Sequence, residues 1–462
     1  MKVFGHYVYV PIVFLAAVEL LLAVLAVVGI DVVRTLTRGA APAGWESLPL
    51  LRAGGFGVLV LFGLTAVGLY QSKQRLRQSG VLARVVVGVA VAGIAFALVD
   101  LLSGIGSGGP VWVLNLAGTV LLIGIERFAT WHWLLDLEPF QRRVLVFGAG
   151  KAAASLLKLR RRSDRRGFEL VAFVPLESDE TTVDDPRVVR LDGSLVDYVV
   201  AHDVDEVVVA MDDRRRGFPI SELLSCRFKG VTVVELVAFL ERETGKVNVD
   251  LVSPSWLIFS ETFGARAGLD VVTRVMDFVV ALVLLVFAAP FMLIVAVAVI
   301  IDDGFPALYR QRRVGKDGVV FTLYKFRSMI KNAEVAGRAQ WATVGDARVT
   351  RTGALLRKLR LDELPQLFNV LMGDMSLVGP RPERPEFVER LSREIPYYQE
   401  RHVVRPGVTG WAQLSYPYGA SDQDALEKLQ FDLYYIKHKS LVFDLVVLLQ
   451  TAEVVLWGKG AR

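Results

Sequence analysis

The chain is 462 residues long, and 53% of its residues are hydrophobic and 22% charged. Its 53 basic and 48 acidic side chains leave a net charge of +5, and Cys226 is its single cysteine. This composition excludes a disordered chain, a disulfide scaffold and an ordinary soluble enzyme, and so modest a charge does not indicate a nucleic-acid partner. Length and apolar excess together predict a membrane protein of about three domains.

The first third contains four apolar stretches, each close to the ~20 residues that a helix needs to cross the hydrocarbon core. They cover Val8–Ile30, Ala53–Tyr70, Val85–Leu102 and Val111–Ile125. A basic loop, residues 71–77, joins the second stretch to the third, and short basic loops stay in the cytoplasm. We therefore predict a four-helix transmembrane domain over residues 1–140 with both ends on the cytoplasmic side. Glu19 and Asp100 are acids in or near these spans, and each marks either a functional site or a packing contact.

A fifth apolar stretch, Phe278–Ile301, has Pro290 in its middle. Proline removes a helical hydrogen bond and clashes with the preceding turn, so a helix over 274–301 should kink or break there. Basic residues flank the stretch on both sides: Arg266, Arg274, Arg310, Arg312, Arg313 and Lys316. Symmetric flanks predict a re-entrant helix that enters and leaves by the cytoplasmic face. The alternative is a kinked helix that crosses the bilayer.

Residues 141–250 alternate between predicted strands and helices, which indicates a parallel α/β sheet. The predicted strands are Arg143–Phe147, Leu170–Val174, Glu206–Ala210 and Val231–Val234. A turn after the first strand carries Gly148, Gly150 and Ala153 and is similar to the G-x-G-x-x-G/A dinucleotide fingerprint. The motif is weak when it stands alone. This Rossmann-like domain therefore either binds a nucleotide or is a structural or regulatory relic.

Two further features of this domain bear on that choice. The ribose-binding acid expected about 20 residues after the glycine turn is not clear, because Glu169 precedes the second strand whereas Glu177 and Asp179 follow it. Basic residues crowd the first crossover: Lys158, Arg160, Arg161, Arg162, Arg165 and Arg166. Such a run is a solvated face or a surface that leans on anionic lipid.

The segment Lys358–Leu371 joins an acidic pair to an apolar helix. Because Pro365 is tolerated only in a first helical turn, the helix is predicted to begin near Asp362 and to leave Asp362 and Glu363 at its N-terminus. Unpaired amides and the helix dipole favour negative charge there, which suits a phosphoryl group on or beside Asp362. A plain Asp N-cap is the alternative for an isolated motif of this kind.

Four cation-bearing motifs accompany the acidic pair. They are Gln311–Gly315, Tyr324–Met329, Gly373–Glu383 and Arg405–Gln413. Arg381 lies between two prolines in the third motif and so has little conformational freedom. Cations, two neighbouring carboxylates and no candidate catalytic histidine predict phosphoryl transfer, with an aspartyl nucleophile and a divalent cation. Only hard oxygen ligands are offered, so Mg²⁺ is favoured over zinc.

These motifs, over about residues 270–458, resemble the bacterial sugar transferase family. Its members are monotopic phosphoglycosyl transferases that begin polysaccharide and glycoconjugate assembly on undecaprenyl phosphate. The whole layout resembles the large members, with four N-terminal spans, a degenerate Rossmann-like α/β domain over 141–250, a linker over 251–270 and a mainly helical catalytic domain over 271–462. The resemblance implies a multi-pass protein of the bacterial inner membrane, with the middle and catalytic domains on the cytoplasmic side, and is compatible with a homodimer.

The resemblance also implies roles for particular residues. Asp362 would be the nucleophile and Glu363 its partner at Mg²⁺, and Lys325 and Asp432 match positions needed for activity. Arg381 would hold nucleotide phosphate. The other cationic and polar motif residues, candidates for substrate binding, are Arg327, Arg313, Gln311 and Arg405.

Pro290 would break the re-entrant helix. Family members often carry serine before that proline, whereas this chain has Ala289, which removes one hydrogen bond at the bend.

The implied reaction has two steps. Asp362 attacks the sugar-bearing phosphorus of a UDP-sugar and releases UMP, and the lipid phosphate then attacks the phosphosugar on the enzyme. The large members usually transfer hexose-1-phosphate from UDP-glucose or UDP-galactose, so UDP-glucose is the expected donor. The apolar tail Leu441–Trp457 either lies along the membrane interface or packs on the catalytic core.

Two other functions are weighed against this one. A membrane-anchored NAD-dependent nucleotide-sugar dehydratase or epimerase would use the glycine turn and a Tyr-x-x-x-Lys pair. The sole such spacing, Tyr435 and Lys439, lies far beyond the turn and inside another motif, so we interpret it as chance. An inactive assembly scaffold would have lost the acidic pair, which is intact here.

Overall fold

The computed structural model describes residues 2–3, 6–7, 10–38, 49–67, 69–70, 78–102, 109–133, 141–157, 159, 168–176, 181–191, 193–212, 218–252, 267–331, 333, 346, 348–416, 419 and 421–457. Several features named above lie outside this part of the chain: the basic loop 71–77, the Asp100 side chain, Glu177, Asp179 and the basic residues of the first crossover. The fold divides into two compact units. One is Asp136–Phe263, and the other combines Met1–Leu135 with Gly264–Arg462.

The N-terminal segment forms a short hairpin and four helices. The hairpin pairs β1 (Lys2–Val3) with β2 (His6–Tyr7), and the helices are α1 (Val10–Arg38), α2 (Pro49–Ala66), α3 (Gln78–Leu102) and α4 (Gly109–Trp133). Consecutive helices pack against one another and α4 returns to α1, which closes a bundle. In α1, α3 and α4 the apolar stretches are long enough to cross a membrane, whereas the apolar part of α2, Leu50–Ala66, is shorter.

Close backbone contacts and a buried ion pair tie helices of this bundle together. A Cβ at Gly63 of α2 would lie 2.2 Å from the Gly88 carbonyl oxygen of α3, so the two backbones touch. Glu19 of α1 is fully buried and accepts hydrogen bonds from Arg127 of α4, with Nε 2.5 Å from Oε1, and from Tyr70. Of the two readings of Glu19, the contacts therefore favour a packing role that ties α1 to α4.

The middle unit confirms the predicted parallel α/β sheet. Its strands are β3 (Arg142–Phe147), β4 (Phe168–Val174), β5 (Glu206–Val209) and β6 (Thr232–Glu235), in the order β4-β3-β5-β6 and all parallel. Helices α5 (Lys151–Leu157) and α8 (Leu236–Thr244) cover one face, and α6 (Leu195–Ala201) and α7 (Ile220–Phe228) cover the other. Alternate residues of β3 enter the two cores, as a sheet buried on both faces requires.

Helix α9 (Ala267–Asp303) continues through Pro290, so of the predicted kink or break the structure shows no break, and the re-entrant course stays a prediction. A proline inside a long helix removes one hydrogen bond, and the remaining bonds are enough to keep the helix continuous. Both ends of α9 pack on elements that follow it in the chain, whereas the apolar residues around Pro290 are exposed. The helix is long and apolar enough to cross a membrane.

The C-terminal elements, from α9 to the end of the described chain, are mainly helical. After α9 come an antiparallel hairpin, β7 (Leu308–Val314) and β8 (Val320–Phe326), and then α10 (Arg351–Leu359). The remaining elements are α11 (Gln366–Met372), β9 (Ser376–Val378), α12 (Pro385–Glu394), β10 (Gly407–Thr409), α13 (Trp411–Ser415), α14 (Asp422–His438) and α15 (Leu441–Trp457). Strands β9 and β10 pair in parallel, and the buried face of α14 lies against them.

Helix α15 packs on both the catalytic elements and α2 of the bundle. On the catalytic side, Thr451 and Thr409 share a hydrogen bond of 2.7 Å between their hydroxyl oxygens. Of the two readings of the tail, packing on the catalytic core is therefore the one that this structure contains.

Candidate active site

The acidic pair lies in a tight turn between two helices. Arg360 ends α10 with a left-handed backbone (φ 57°), and Leu361–Glu363 then form one turn of 3₁₀ helix. The expected α-helix begins at Gln366, later than the predicted start near Asp362, and Pro365 immediately precedes it. The left-handed backbone of Arg360 interrupts the helix, and only Leu361–Glu363 separate it from Leu364 and Pro365, whose backbones are already helical. Both carboxylates consequently precede the helix that follows.

Glu363 is surrounded by cations. Its Oε1 atom lies 3.0 Å from Lys325 Nζ and 3.2 Å from an Arg381 terminal nitrogen, and its Oε2 atom lies 4.0 Å from Arg360. Burial raises the pKa of Glu363, but Lys325 and Arg381 outweigh burial and hold that pKa well below its usual range. Glu363 is therefore ionised and serves to gather the cations.

Asp362 has a different environment. Within the part of the chain that the structure describes, no side chain donates a hydrogen bond to its carboxylate. Burial and the neighbouring charge of Glu363 raise the pKa of Asp362, and Lys325 and Arg381 counteract part of this rise. A half-buried carboxylate without a donor, beside two cations, is suited to attack a phosphorus atom.

The surrounding structure fixes the positions of Lys325 and Arg381. Lys325 lies on β8 between the buried residues of that strand, and burial lowers the pKa of its ammonium group. Arg381 uses one terminal nitrogen for Glu363 and donates from the other to Gln413 Oε1 at 3.0 Å. A planar guanidinium bound in two directions has a fixed orientation, which suits phosphate recognition.

Glycines set the backbone around Arg381. A Cβ at Gly407 would lie 2.1 Å from the Gly379 nitrogen, and one at Gly379 would lie 2.4 Å from the Arg405 carbonyl oxygen. Only glycine permits this approach of β10 to the residues after β9. The two glycine-containing motifs thus pack backbone against backbone and place Arg381 opposite Glu363.

Three other predicted site residues do not contact the acidic pair but bond to the loop that carries Arg381, directly or through another side chain. Asp432, on α14, forms a buried ion pair of 2.7 Å with Arg401, which also donates to the Arg381 carbonyl oxygen at 3.2 Å. Arg313 donates to the Pro382 carbonyl oxygen at 3.0 Å and to Gln311. These three predicted residues, Asp432, Arg313 and Gln311, therefore support the loop that carries Arg381.

Two predicted cations lie outside this group. Arg327 donates to the carbonyl oxygens of Asp303 and Gly304 and so caps the C-terminus of α9, where a cation is favoured. Arg405 lies half-buried in the segment before β10, and neither residue contacts Glu363 among the residues described.

Sequence reasoning missed three residues. Arg360 and Gln413 stand inside motifs that it singled out, so their motif membership was the available signal. Arg401 belongs to none of these motifs and could be found only from the structure.

In the middle unit, a side chain of the protein itself binds the backbone amides that follow the glycine turn. The Asp212 carboxylate accepts hydrogen bonds from the Lys151 and Ala152 amides at 2.8 and 2.7 Å, where a dinucleotide would place its pyrophosphate. A Cβ at Gly150 would lie 2.2 Å from the same carboxylate. Ala153, the third residue of the fingerprint, is buried in the core. The glycines therefore accommodate a side chain of the protein itself.

The Tyr-x-x-x-Lys spacing serves structural contacts. Tyr435 is buried and donates to Asp444 at 2.7 Å, with the Val378 carbonyl oxygen 3.2 Å away, and Lys439 pairs with Asp270 at 3.0 Å. Neither residue belongs to the middle unit that contains the glycine turn.

The acidic pair provides side chains that could hold Mg²⁺. The described residues contain no cluster of three or more metal-ligating side chains. Mg²⁺ is commonly bound through one or two carboxylates together with substrate phosphates, and Asp362 with the Oε2 atom of Glu363 fits that pattern. The carboxylate oxygens of Asp362 and the Oε2 atom of Glu363 are hard ligands. The Oε1 atom of Glu363 is already bonded to Lys325 and Arg381.

An acidic turn opposed by fixed cations, beside a long apolar helix, is an arrangement suited to phosphoryl transfer at a membrane. The family model for bacterial sugar transferases matches residues 269–458. A galactose phosphotransferase of undecaprenyl phosphate from Salmonella typhimurium is 30% identical over 373 residues, which are 76% of this chain and 76% of that protein. The chain belongs to the bacterial sugar transferase family.

Other relatives differ in the sugar that their names specify. An N-acetylgalactosamine phosphotransferase from Aeromonas hydrophila is 42% identical over 262 residues, 56% of this chain and 60% of that protein. A UDP-glucose:undecaprenyl-phosphate glucose-1-phosphate transferase from Caulobacter vibrioides is 42% identical over 266 residues, 54% of this chain and 99% of that protein. Membership of the family thus does not select one sugar.

Proposed function

We propose that this protein transfers a sugar-1-phosphate from a UDP-sugar to undecaprenyl phosphate and so initiates exopolysaccharide or glycoconjugate synthesis. The observation that carries the proposal is the difference in hydrogen bonding between the two carboxylates of the acidic pair. Glu363 gathers Lys325 and Arg381, whereas the Asp362 carboxylate beside it accepts no hydrogen bond from the described side chains. UDP-glucose is our preferred donor, and the sugars named for the relatives provide the panel to be tested.

The proposed chemistry proceeds through a covalent intermediate. An oxygen of Asp362 bonds to the sugar-bearing phosphorus, the bond from that phosphorus to the bridging oxygen breaks, and UMP leaves with the electron pair. An oxygen of the lipid phosphate then attacks the same phosphorus and releases the Asp362 carboxylate. Lys325 and Arg381 stabilise negative charge on the transferring group. Bound Mg²⁺ would neutralise phosphate charge at Asp362 and Glu363.

The apolar surface near the acidic turn supports a lipid acceptor. Helix α10 before the turn exposes Leu355 and Leu359, and helix α11 after it exposes Phe368 and Met372. Each pair is spaced by four residues and so lies on one side of its helix. An acceptor that remains in the membrane has a hydrophobic approach from both sides of Asp362.

The contacts of α9 support the re-entrant arrangement. Arg274 donates to carbonyl oxygens at the end of α11, at 2.7 Å for Leu371. Near the other end of α9, Val295 and Val299 join a cluster that includes Leu364, just before α11. Arg274 and Val295 would lie about 30 Å apart on a straight helix, whereas Leu364 and Leu371 lie only about 10 Å apart. We therefore propose that α9 bends near Pro290 and returns to the cytoplasmic face of a bacterial inner membrane.

UMP release from a panel of UDP-sugars tests the reaction. The full-length protein would be assayed in nanodiscs with undecaprenyl phosphate and Mg²⁺, alongside Asp362→Ala. We expect release with one donor and its loss in the variant. Asp422→Asn, which alters an exposed acid paired with Arg390, is the matched control and should retain activity.

Labelling tests the intermediate separately. A UDP-sugar radiolabelled in its β-phosphate should label the wild type in the absence of acceptor and should not label Asp362→Asn. Full turnover by Asp362→Asn would overturn the covalent route while leaving the overall reaction in place.

A further inference from the structure

The middle unit has an apolar stripe on α7. Leu223 and Cys226 of this helix point into the core and are buried. Ile220, Leu224 and Phe228 are spaced by four residues along the outer side, and their exposed fractions are 60%, 47% and 86%. Singly scattered apolar residues are normal on a protein surface, whereas a contiguous row of large ones marks an interaction site.

Positive charge borders the stripe. Arg227 and Lys229 are exposed on either side of Phe228 in the sequence. Glu222, the one acid of α7, is half-buried and accepts a hydrogen bond from the Leu195 amide at 3.2 Å, which caps α6. Its charge is therefore engaged within the unit. Apolar anchors beside cations are the chemistry that recognises an anionic lipid surface.

The bilayer is within reach of this unit. Only residues 134–141 separate the apolar helix α4 from β3, and a fully extended segment of that length spans about 30 Å. The chain is also attached to α9 at the other end of the unit. A membrane is thus a neighbour that the protein always has.

We propose that α7 docks the middle unit on anionic lipid, with Ile220, Leu224 and Phe228 among the headgroups and Arg227 and Lys229 against lipid phosphate. The proposal concerns a surface distant in sequence from the acidic pair, and it holds whether or not the transfer reaction is as proposed.

The lone cysteine makes the test practicable in the full-length protein. Cys226→Ala gives a cysteine-free background, into which Phe228→Cys is introduced and labelled with an environment-sensitive fluorophore. Ser225→Cys on the same helix is the matched control, because Ser225 is exposed and lies about 100° around the helix from Leu224. Both proteins are reconstituted in nanodiscs that contain lipids with brominated acyl chains.

We expect bromolipid to quench the label at 228 more strongly than the label at 225, and only in discs with anionic lipid. Arg227→Gln should weaken docking by about fivefold, the contribution of one surface cation. Equal quenching at both positions would overturn the proposal. So would cross-linking of position 228 to a second copy without lipid quenching, which would assign the stripe to self-association.

Because a bulky label can itself enter lipid, unlabelled wild type provides a second measurement. Amide hydrogen exchange in α7 should be slower in anionic than in zwitterionic nanodiscs. Exchange that is independent of lipid charge would contradict the docking.

Discussion

Two turns of this protein precede helices and carry motifs associated with phosphate binding. They differ in whether their polar groups already have partners within the protein. In the middle unit, the backbone amides after Gly150 are already bonded to Asp212. In the catalytic unit, side-chain cations bind Glu363 and leave the neighbouring carboxylate of Asp362 without a donor among the described residues. A motif therefore indicates a site only when one of its reactive groups is not already satisfied by the protein.

The strongest test of this comparison removes the support behind Arg381. Asp432→Ala would leave Arg401 as a buried charge without its partner, which should lower the free energy of unfolding by about 3–5 kcal/mol. The loop that carries Arg381 should also lose the hydrogen bond from Arg401 to the Arg381 carbonyl oxygen. Thermal unfolding in detergent and UMP release would measure the two effects.

A double variant separates stability from positioning. Arg401→Met with Asp432→Leu replaces the pair by apolar side chains, which is often neutral for stability. We expect stability to recover but UMP release to stay low, because the bond from Arg401 to the Arg381 carbonyl oxygen is still missing. Recovery of both would assign Asp432 a purely structural role.

The next test acts on Arg381 directly. Arg381→Lys keeps the charge but cannot bond Glu363 and Gln413 together, so kcat/KM should fall by roughly 10²–10³-fold. Arg393→Lys, on an exposed helix face, is the control and should have little effect. An unchanged kcat/KM for Arg381→Lys would mean that charge alone, and not its fixed direction, matters at this site.

The pH profile of UMP release reports Asp362 and Lys325. Since Asp362 must be ionised to attack and its pKa is raised, activity should fall on acidification at a pH above the ordinary value for aspartate. Since the pKa of Lys325 is lowered, the alkaline limb should lie below the ordinary lysine value. Lys325→Arg should shift only the alkaline limb upward, because arginine stays protonated. An acid limb at the ordinary aspartate value would contradict the environment described for Asp362.

Much of this arrangement could be predicted from the sequence because it is encoded locally. Apolar runs predicted the bundle helices, strand and helix alternation predicted the parallel sheet, and the motif around Asp362 predicted an acidic turn before a helix. The partners of that turn come from β8, the residues after β9 and α13, so only family resemblance could bring Lys325 and Arg381 to it.

Three features of the structure could not be predicted from local patterns, for physical reasons. Pro290 predicts a kink or a break, and α9 does not break there, because one lost hydrogen bond does not end a long apolar helix. Arg327 lies in a cationic motif, but its guanidinium donates a hydrogen bond to a carbonyl oxygen at the end of α9. Asp212 lies more than sixty residues after the glycine turn, and no local pattern could show that the turn is filled.

The smallest expected effect tests the middle-unit side of the comparison. Asp212→Ala removes the acceptor of two amides at the start of α5 and should cost about 1 kcal/mol of stability, as for loss of an N-cap. Asp212→Asn retains one acceptor oxygen and should cost less. Neither change should alter UMP release, and the wild type should not bind NAD(P), since the position of the pyrophosphate is filled by a carboxylate that repels it. Saturable binding of NAD(P) to the wild type would mean that Asp212 yields to a ligand, and the glycine turn would then be a working site in its own right.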